Sequence, residues 1–233
     1  MNCLIVNGQS ISDTSIHKNK WRIGLNFSPD YCFRKLDSTN ITNGNPPNVR
    51  YTIMHYRDSI ERAKFGFTAG ISIGYDINQN ISLESGIFYS DKGYQTMELG
   101  PFNGSNISIG GVKLIYSYNY IDIPLMVDAT FINYKKFSIG INVGIVLDMF
   151  LNAYSTSVLD NNSNTTTTSK DNNDYNKINI SIMAGFNFNY KINSKFSIKL
   201  EPTYRYGMIR IIDAPITAYL WNAGVNIGID YHF

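Results

Sequence analysis

Three side chains that could form a hydrolytic site, His55, Asp58 and Ser59, lie within five positions of one another. A histidine can accept the proton of a serine hydroxyl while a carboxylate orients its ring, so these are the residue types of a nucleophilic triad. Their spacing, in a segment that we predict to be a polar loop, brings them together on no regular element. Of the other histidines, His17 lies in the amino-terminal leader, and His232 is expected to be structural. We therefore predict no catalytic residues, with a barrel hydrolase acting on lipid or peptide as the alternative.

The cysteines and the net charge exclude several other kinds of site. Cys3 and Cys32 are the only cysteines, and neither belongs to a C-x-x-C motif or stands near clustered histidines. The sequence therefore indicates neither a metal site nor a disulfide framework, and we expect no cofactor. The formal net charge of +2 offers no basic stripe, so nucleic acid is not an expected partner.

A second set of candidate residues consists of charged side chains that alternate with apolar residues in several segments. Its members are Arg22, Glu84, Asp122, Asp148, Lys199, Glu201, Arg205 and Asp230. Charges buried on one face of a strand are tolerated only when they are paired and hydrogen-bonded. We therefore predict a network of ion pairs that plugs the interior of the fold rather than a channel.

The segment LWNAGVNIGIDYHF shows which elements must carry these charges. Large or apolar side chains occupy every second position, and Asn, Gly, Asp or His stand between them, which is the period of a β-strand. At about 3.3 Å per residue such a strand is some 45 Å long, roughly twice the usual length in globular proteins. Similar alternation recurs through the chain and predicts eight strands.

A weak internal repeat marks three hairpin turns, in DINQNISLE at residues 76–84, FINYKKFSI at 131–139 and KINSKFSIKLE at 191–201. Each copy separates two alternating segments by a few polar residues, as a tight turn does. The four other connections are long, and they are predicted at residues 29–63, 98–111, 154–176 and 209–218. Short links at one end and long links at the other are typical of a Gram-negative outer-membrane barrel with short periplasmic turns, long extracellular loops and both termini in the periplasm.

The two faces of these strands favour a membrane barrel over a soluble one. The polar face is rich in Gly, Ser and Asn, whereas the other carries bulky residues that eight strands could hardly enclose. Aromatic residues stand at the turn-side ends of most strands, as in an interfacial girdle: Trp21, Tyr75, Phe131, Phe137, Tyr190, Phe196, Tyr231 and Phe233. We predict an all-β, eight-stranded antiparallel up-and-down transmembrane β-barrel over residues 20–233.

Two parts of the sequence leave alternatives open. Residues 1–19 form a leader whose apolar part is too short for a signal peptide, so it is either a remnant of one or a disordered segment. In the fourth strand, Tyr116, Tyr118 and Tyr120 share a phase with Asp122. Either these tyrosines line the mouth of the barrel, or a bulge shifts them to the other face.

Several motifs resemble the PorT-like outer-membrane β-barrel family of Bacteroidetes: SPDYCFRKL after the first strand, LESGIFYSDKGYQT, YNYIDIPL, EPTYRY and DAPI. The resemblance extends from about Trp21 to Phe233. It implies an outer-membrane location and a barrel fold, and the best-known member is implicated in type IX secretion. Tyr231 and Phe233 also resemble the carboxyl-terminal signal that the outer-membrane assembly machinery recognises.

Because a rigid barrel usually carries its function in its loops, aromatic residues there are the candidates for binding. They are Tyr31, Phe33, Tyr51, Tyr56, Phe102 and Tyr154. Such residues among Asn, Ser and Thr suit contact with protein, glycan or lipopolysaccharide. We predict a non-catalytic barrel that anchors or binds at the cell envelope, with membrane lipid, the assembly machinery and an envelope or secretion complex as expected partners.

Overall fold

The computed structural model describes residues 20–38, 47–98, 100, 111–159, 166–171 and 173–233. The leader, with Cys3 and His17, and the loop residue Phe102 lie outside the described residues. The elements are β1 (Trp21–Ser38), α1 (Pro47–Ile60), β2 (Glu61–Asp76), β3 (Ile81–Thr96), β4 (Val112–Tyr134), β5 (Phe137–Leu159), β6 (Thr166–Asp171), β7 (Ile178–Lys191), β8 (Phe196–Gly207) and β9 (Ile216–His232).

Eight of these strands are hydrogen-bonded into a closed ring. Strand β1 pairs antiparallel with β2, β2 with β3, β3 with β4, and β4 with β5. Strand β5 then pairs with β7, β7 with β8, β8 with β9, and β9 with β1, also antiparallel. The remaining strand, β6, pairs with the last residues of β5. Closure leaves no open edge within the ring, and the predicted up-and-down fold class is confirmed. In the part of the chain that the structure describes, no helix has the length and apolar character needed to cross a membrane.

The two faces of the strands differ as the alternation predicts. Outward side chains are large, apolar and exposed, with Leu25 at 65% and Ile227 at 48% exposure. Inward side chains are mostly polar and buried, and Asp122 has no exposed surface. An exposed apolar band around a polar interior is the reverse of a soluble barrel and matches a barrel in lipid.

Several strands extend beyond their predicted ends. Strand β1 continues to Ser38 and β5 to Leu159, so Tyr31, Phe33 and Tyr154 lie in strands and not in loops as predicted. Much of the predicted loop at 29–63 is the end of β1 followed by α1. In β1 the apolar side of the alternation is interrupted by Pro29, Lys35 and Asp37, although the hydrogen-bonded ladder with β9 continues to Ser38.

The repeated Ile-Asn of the turn motif has a structural cause in two of its three copies. The Asn78 side-chain oxygen accepts hydrogen bonds from the backbone N–H groups of residues 80 and 81, both at 2.8 Å. Asn193 makes the same two contacts, also at 2.8 Å, with residues 195 and 196. The second copy instead closes through a shorter turn in which Lys135 has a left-handed backbone with φ of 53°. Asparagine side chains thus form the turn where the link is longer.

The structure of β4 shows which face of the strand carries its tyrosines. The register between β3 and β4 is continuous along β4 from Ile115 to Asp122, and Tyr118 and Tyr120 are buried on the inward face. The irregularity at this level lies in the pairing with β5, where Leu151 is the additional residue. The tyrosines therefore line the interior of the barrel near its mouth.

Gly93 permits the close approach of β3 and β4 beside these tyrosines. Its φ is +149°, and an added Cβ would lie 1.9 Å from the carbonyl oxygen of Tyr116. We expect Gly93→Ala to lower the free energy of unfolding by about 1–3 kcal/mol, the usual cost of such backbone strain, in urea titrations of the folded barrel. Gly100→Ala is the control, since no atom lies within 4 Å of its added Cβ. Equal stability of the two variants would contradict the steric assignment.

Candidate functional site

The turn-side half of the interior is organised around Arg22. Its guanidinium contacts Asp76 at 2.7 Å, Asp128 at 2.9 Å and Glu84 at 3.0 Å. The nearest oxygen of Asp230 is 3.9 Å from Nε of Arg22. One cation therefore serves carboxylates from strands that lie far apart in the sequence.

Lys199 supplies the second cation of this half. Its ammonium group lies 2.5 Å from Glu84 and 3.6 Å from Glu201. Glu201 also accepts hydrogen bonds from Asn226 at 2.6 Å and from Asn142 at 3.3 Å. The two asparagines thus supply the hydrogen bonds that the buried carboxylate of Glu201 needs.

A separate group of four charges fills the middle of the barrel. Lys92 contacts Asp148 at 2.9 Å and Asp122 at 3.1 Å, and Arg205 contacts Asp122 at 2.9 Å. Ser181 donates a further hydrogen bond to Asp148. With two cations and two carboxylates, this group is balanced in charge. The eight residues of the predicted network therefore fall into two clusters along the barrel axis.

Some of the inward charges were not among the predicted residues. Lys92 and Asp128 continue the inward phase of Ser90 and Met126, so the same alternation could have identified them. Lys64 keeps the phase of Thr68 and Ser72 and could have been identified in the same way, whereas Glu61 could not, because the register shift between Ala63 and Phe67 reverses the phase of β2 before it. A bulge of this kind leaves no clear mark in the sequence.

At the loop-side end, the tyrosines surround a cavity of about 240 Å³, which we call the mouth pocket. Its lining residues are Arg57, Glu61, Tyr94, Tyr116, Tyr118, Asp171, Asn173, Tyr175, Ile211, Ile212, Ile216 and Ala218. They come from α1, from five strands, from the segment before β7 and from the segment between β8 and β9. The pocket lies beyond the charge clusters, at the end of the barrel that carries the long connections.

The charged side chains Arg57 and Glu61 of the mouth pocket form an ion pair. Arg57 contacts Glu61 at 2.6 Å and donates a hydrogen bond to the hydroxyl of Tyr94 at 3.1 Å. Arg34, a buried residue of β1 that does not line the pocket, contacts the other carboxylate oxygen of Glu61 at 2.6 Å. Burial alone would lower the pKa of Arg57, but the contact with Glu61 outweighs burial, and the pKa is raised. This part of the pocket lining therefore consists of the Arg57–Glu61 ion pair and the hydroxyl of Tyr94.

The opposite side of the pocket is formed by Tyr175 and its neighbours. The Tyr175 hydroxyl donates to Asp171 at 2.5 Å and accepts a hydrogen bond from Asn173 at 3.4 Å. Its ring packs edge-on against Tyr118, with ring centroids 5.4 Å apart. Burial raises the pKa of Tyr175 to about 12, so its hydroxyl stays protonated at physiological pH.

The three residues of the hydrolase alternative lie on helix α1. Positions i, i+3 and i+4 share a helix face, so our expectation that no regular element would align them is wrong. Their contacts nevertheless lead elsewhere, because the His55 ring stacks on Tyr51, Asp58 pairs with Arg34, and Ser59 donates to the Tyr56 carbonyl. At the other end of the barrel, the imidazole Nε2 of His232 lies 2.8 Å from the Ser197 hydroxyl.

The last residues of the chain form an aromatic group on the turn-side end. The ring of Tyr231 lies 5.2 Å from that of Phe196 and 5.3 Å from that of Phe233, measured between centroids. Trp21 and Tyr75 form a similar pair at 4.7 Å. Aromatic side chains thus lie at the same end as the short turns. Over the described residues, no group of three or more His, Cys, Asp or Glu side chains is arranged to hold a metal ion.

Comparison with solved structures finds small bacterial outer-membrane barrels. Neisserial surface protein A is 12% identical, with a TM-score of 0.46 over 91% of this chain and 97% of its own. OprG from Pseudomonas aeruginosa is 11% identical, with a TM-score of 0.48 over 93% and 98%. The Escherichia coli outer membrane protease OmpT is 8% identical, with a TM-score of 0.44 over 96% and 100%. At such identities the likeness concerns the fold alone.

A search of curated proteins found no match. A known family does match, over residues 7–213, and its description is outer membrane protein beta-barrel domain. Together with the closed ring of strands and the exposed apolar band, this match assigns both the fold and the membrane. The chain belongs to the outer membrane protein β-barrel domain family.

Proposed function

We propose that this barrel is a non-catalytic anchor that binds a partner through its loop-side end, as a component of an envelope or secretion complex. The loop-side end faces the exterior, while the short turns and both termini face the periplasm. The PorT-like resemblance of the sequence favours this role and a source among Bacteroidetes. Tyr231 and Phe233 serve as the signal for the outer-membrane assembly machinery.

The observation that carries the proposal is the length of the strands at the loop-side end. Strands β4 and β5 have 23 residues each. At about 3.3 Å per residue and a tilt of about 40°, such strands rise more than 50 Å, whereas the apolar band of an outer-membrane barrel is only about 25 Å tall. The excess forms a rigid β-structure beyond the lipid, to which β6 and α1 are added. Rigid projecting structure of this kind suits a binding role.

The filled interior argues against a role as a pore. The buried ion pairs of Arg22, Lys199 and Lys92 occupy the lumen, and aromatic rings occupy the mouth. We therefore expect the purified protein to produce no stable conductance steps in planar lipid bilayers, because an eight-stranded interior is filled by its own side chains. Lys92→Ala, which removes a plugging side chain, is the comparison. Reproducible steps from the wild-type protein would contradict a closed lumen.

Capture of partners from detergent-solubilised membranes tests the binding role. We expect the double variant Tyr51→Ser/Tyr56→Ser to retain less partner than the wild type, because both side chains are exposed on α1 at the loop-side end. Tyr134→Ser is the matched control, since Tyr134 is 65% exposed but lies at a turn-side hairpin. A partner lost only with the Tyr134 variant would place binding at the periplasmic end and contradict the proposal.

A further inference from the structure

We propose that the mouth pocket binds one sugar ring of an uncharged glycan. This inference rests on the proposed function, in that the loop-side end is the end that binds, and it adds the chemical class of the ligand. The carrying observation is a cavity with hydrogen-bonding groups around its perimeter and aliphatic side chains along one wall. A pyranose ring has the complementary arrangement, with hydroxyls around its edge and C–H groups on its faces.

The hydrogen-bonding groups are distributed around the pocket and include both donors and acceptors. Arg57 and Glu61 come from α1 and the start of β2, and Asp171 and Asn173 come from β6 and the segment after it. The lining tyrosines add hydroxyl groups, each of which can both donate and accept a hydrogen bond. A ligand that uses such a perimeter must itself carry several hydroxyl groups in different directions.

The aliphatic wall is formed by Ile211, Ile212, Ile216 and Ala218. It offers contact to C–H groups but no hydrogen bond from its side chains. A single apolar side chain of a peptide would match this wall and leave the polar perimeter unpaired, which costs free energy. A sugar ring satisfies both parts of the surface, so we favour a glycan over a peptide.

The charges of the pocket favour a neutral ligand. Among its described lining residues, Arg57 is the only cation, and it is already held by Glu61 and Tyr94. The carboxylate of Asp171 would repel a phosphate, sulfate or sialic acid. A cationic ligand would find Glu61 paired with two arginines and Asp171 occupied by the Tyr175 hydroxyl.

The size of the cavity limits how much of the glycan can enter. Pockets for drug-sized ligands measure roughly 300–1,000 Å³. The mouth pocket, at about 240 Å³, is smaller and accommodates a terminal residue rather than a chain. The remaining sugars of the glycan would lie outside, over the projecting strands.

The experiment uses the full-length protein in detergent micelles on a microarray of neutral and acidic oligosaccharides, followed by calorimetry with the best ligand. We expect binding to neutral glycans. Tyr116→Phe should weaken binding about three- to tenfold, because the loss of one hydroxyl removes about one hydrogen bond. Tyr134→Phe removes the same atom from an exposed ring at a turn-side hairpin and should change nothing.

Ile212→Trp provides a second variant that keeps every polar group and fills the cavity. We expect it to abolish binding while the barrel remains folded, as judged by its heat-dependent mobility on gels. Binding of no glycan, of acidic glycans only, or equal binding by the Ile212→Trp variant would overturn the inference. If the partner capture described above still depended on α1 in that case, the proposed function would stand and only the ligand class would fail.

Discussion

Ile227→Arg is expected to lower the free energy of unfolding by about 2–4 kcal/mol, the cost of a lipid-facing arginine near the middle of the bilayer. Ile227 lies on the outward face of β9 and is 48% exposed. In water such exposure would make the substitution harmless. In hydrocarbon the guanidinium must give up its hydration, so stability measured by urea titration in lipid vesicles should fall.

Two control variants separate the effect of lipid from a general intolerance of arginine. Ile53→Arg makes the same change at an exposed position of α1, outside the apolar band, and should change the unfolding free energy by less than about 0.5 kcal/mol. Asn226→Arg changes the inward neighbour of Ile227, beside Glu201, and should disturb folding less or in a different way. Equal tolerance at positions 227 and 53 would contradict the assignment of the outward face to lipid.

Lys92→Met should destabilise the barrel by about 3–5 kcal/mol, because removal of one partner leaves buried carboxylates without their cation. Lys92 is 4% exposed, and it contacts both Asp122 and Asp148. After the change, Arg205 alone would face the two carboxylates. Methionine keeps most of the volume, so the loss measures charge rather than a cavity.

The double variant Lys92→Met/Asp148→Asn restores the balance of charge, since Arg205 and Asp122 remain as a pair. Asparagine can still accept the hydrogen bond from Ser181. We therefore expect the double variant to be more stable than the sum of the two single effects predicts, by about 0.5–3 kcal/mol in urea titrations. Simple additivity would show that the middle cluster is not coupled.

The strand alternation and the turn motif predicted most of the fold because both depend on neighbouring residues. Period two assigns Ile227 to lipid and Asp230 to the interior without knowledge of any partner strand. The same rule located eight inward charges, and it could have located Lys92. It failed at Glu61, since the bulge in β2 reverses the phase before that residue. It also failed for the end of β1, where Pro29, Lys35 and Asp37 interrupt the apolar side of the alternation.

The mouth pocket could not have been predicted, because its residues are distant in sequence. Tyr94, Tyr116 and Tyr175 meet only when β3, β4 and the segment before β7 have closed into the ring. Arg57 reaches them from α1, in a segment whose sequence predicts a loop. Local periodicity contains no information about such contacts, which depend on the register and closure of the whole barrel.

Photolabelling from the membrane tests the orientation of the strands most directly. The unmodified protein would be placed in vesicles containing a phospholipid with a diazirine on its acyl chain, and the labelled residues would be located by mass spectrometry. We predict labels on Leu25, Ile145 and Ile227, which are exposed, and none on Val146, which is apolar but has no exposed surface. Labelling of Val146 with sparing of Ile145 would contradict a lipid-facing apolar band and, with it, the account of the protein given above.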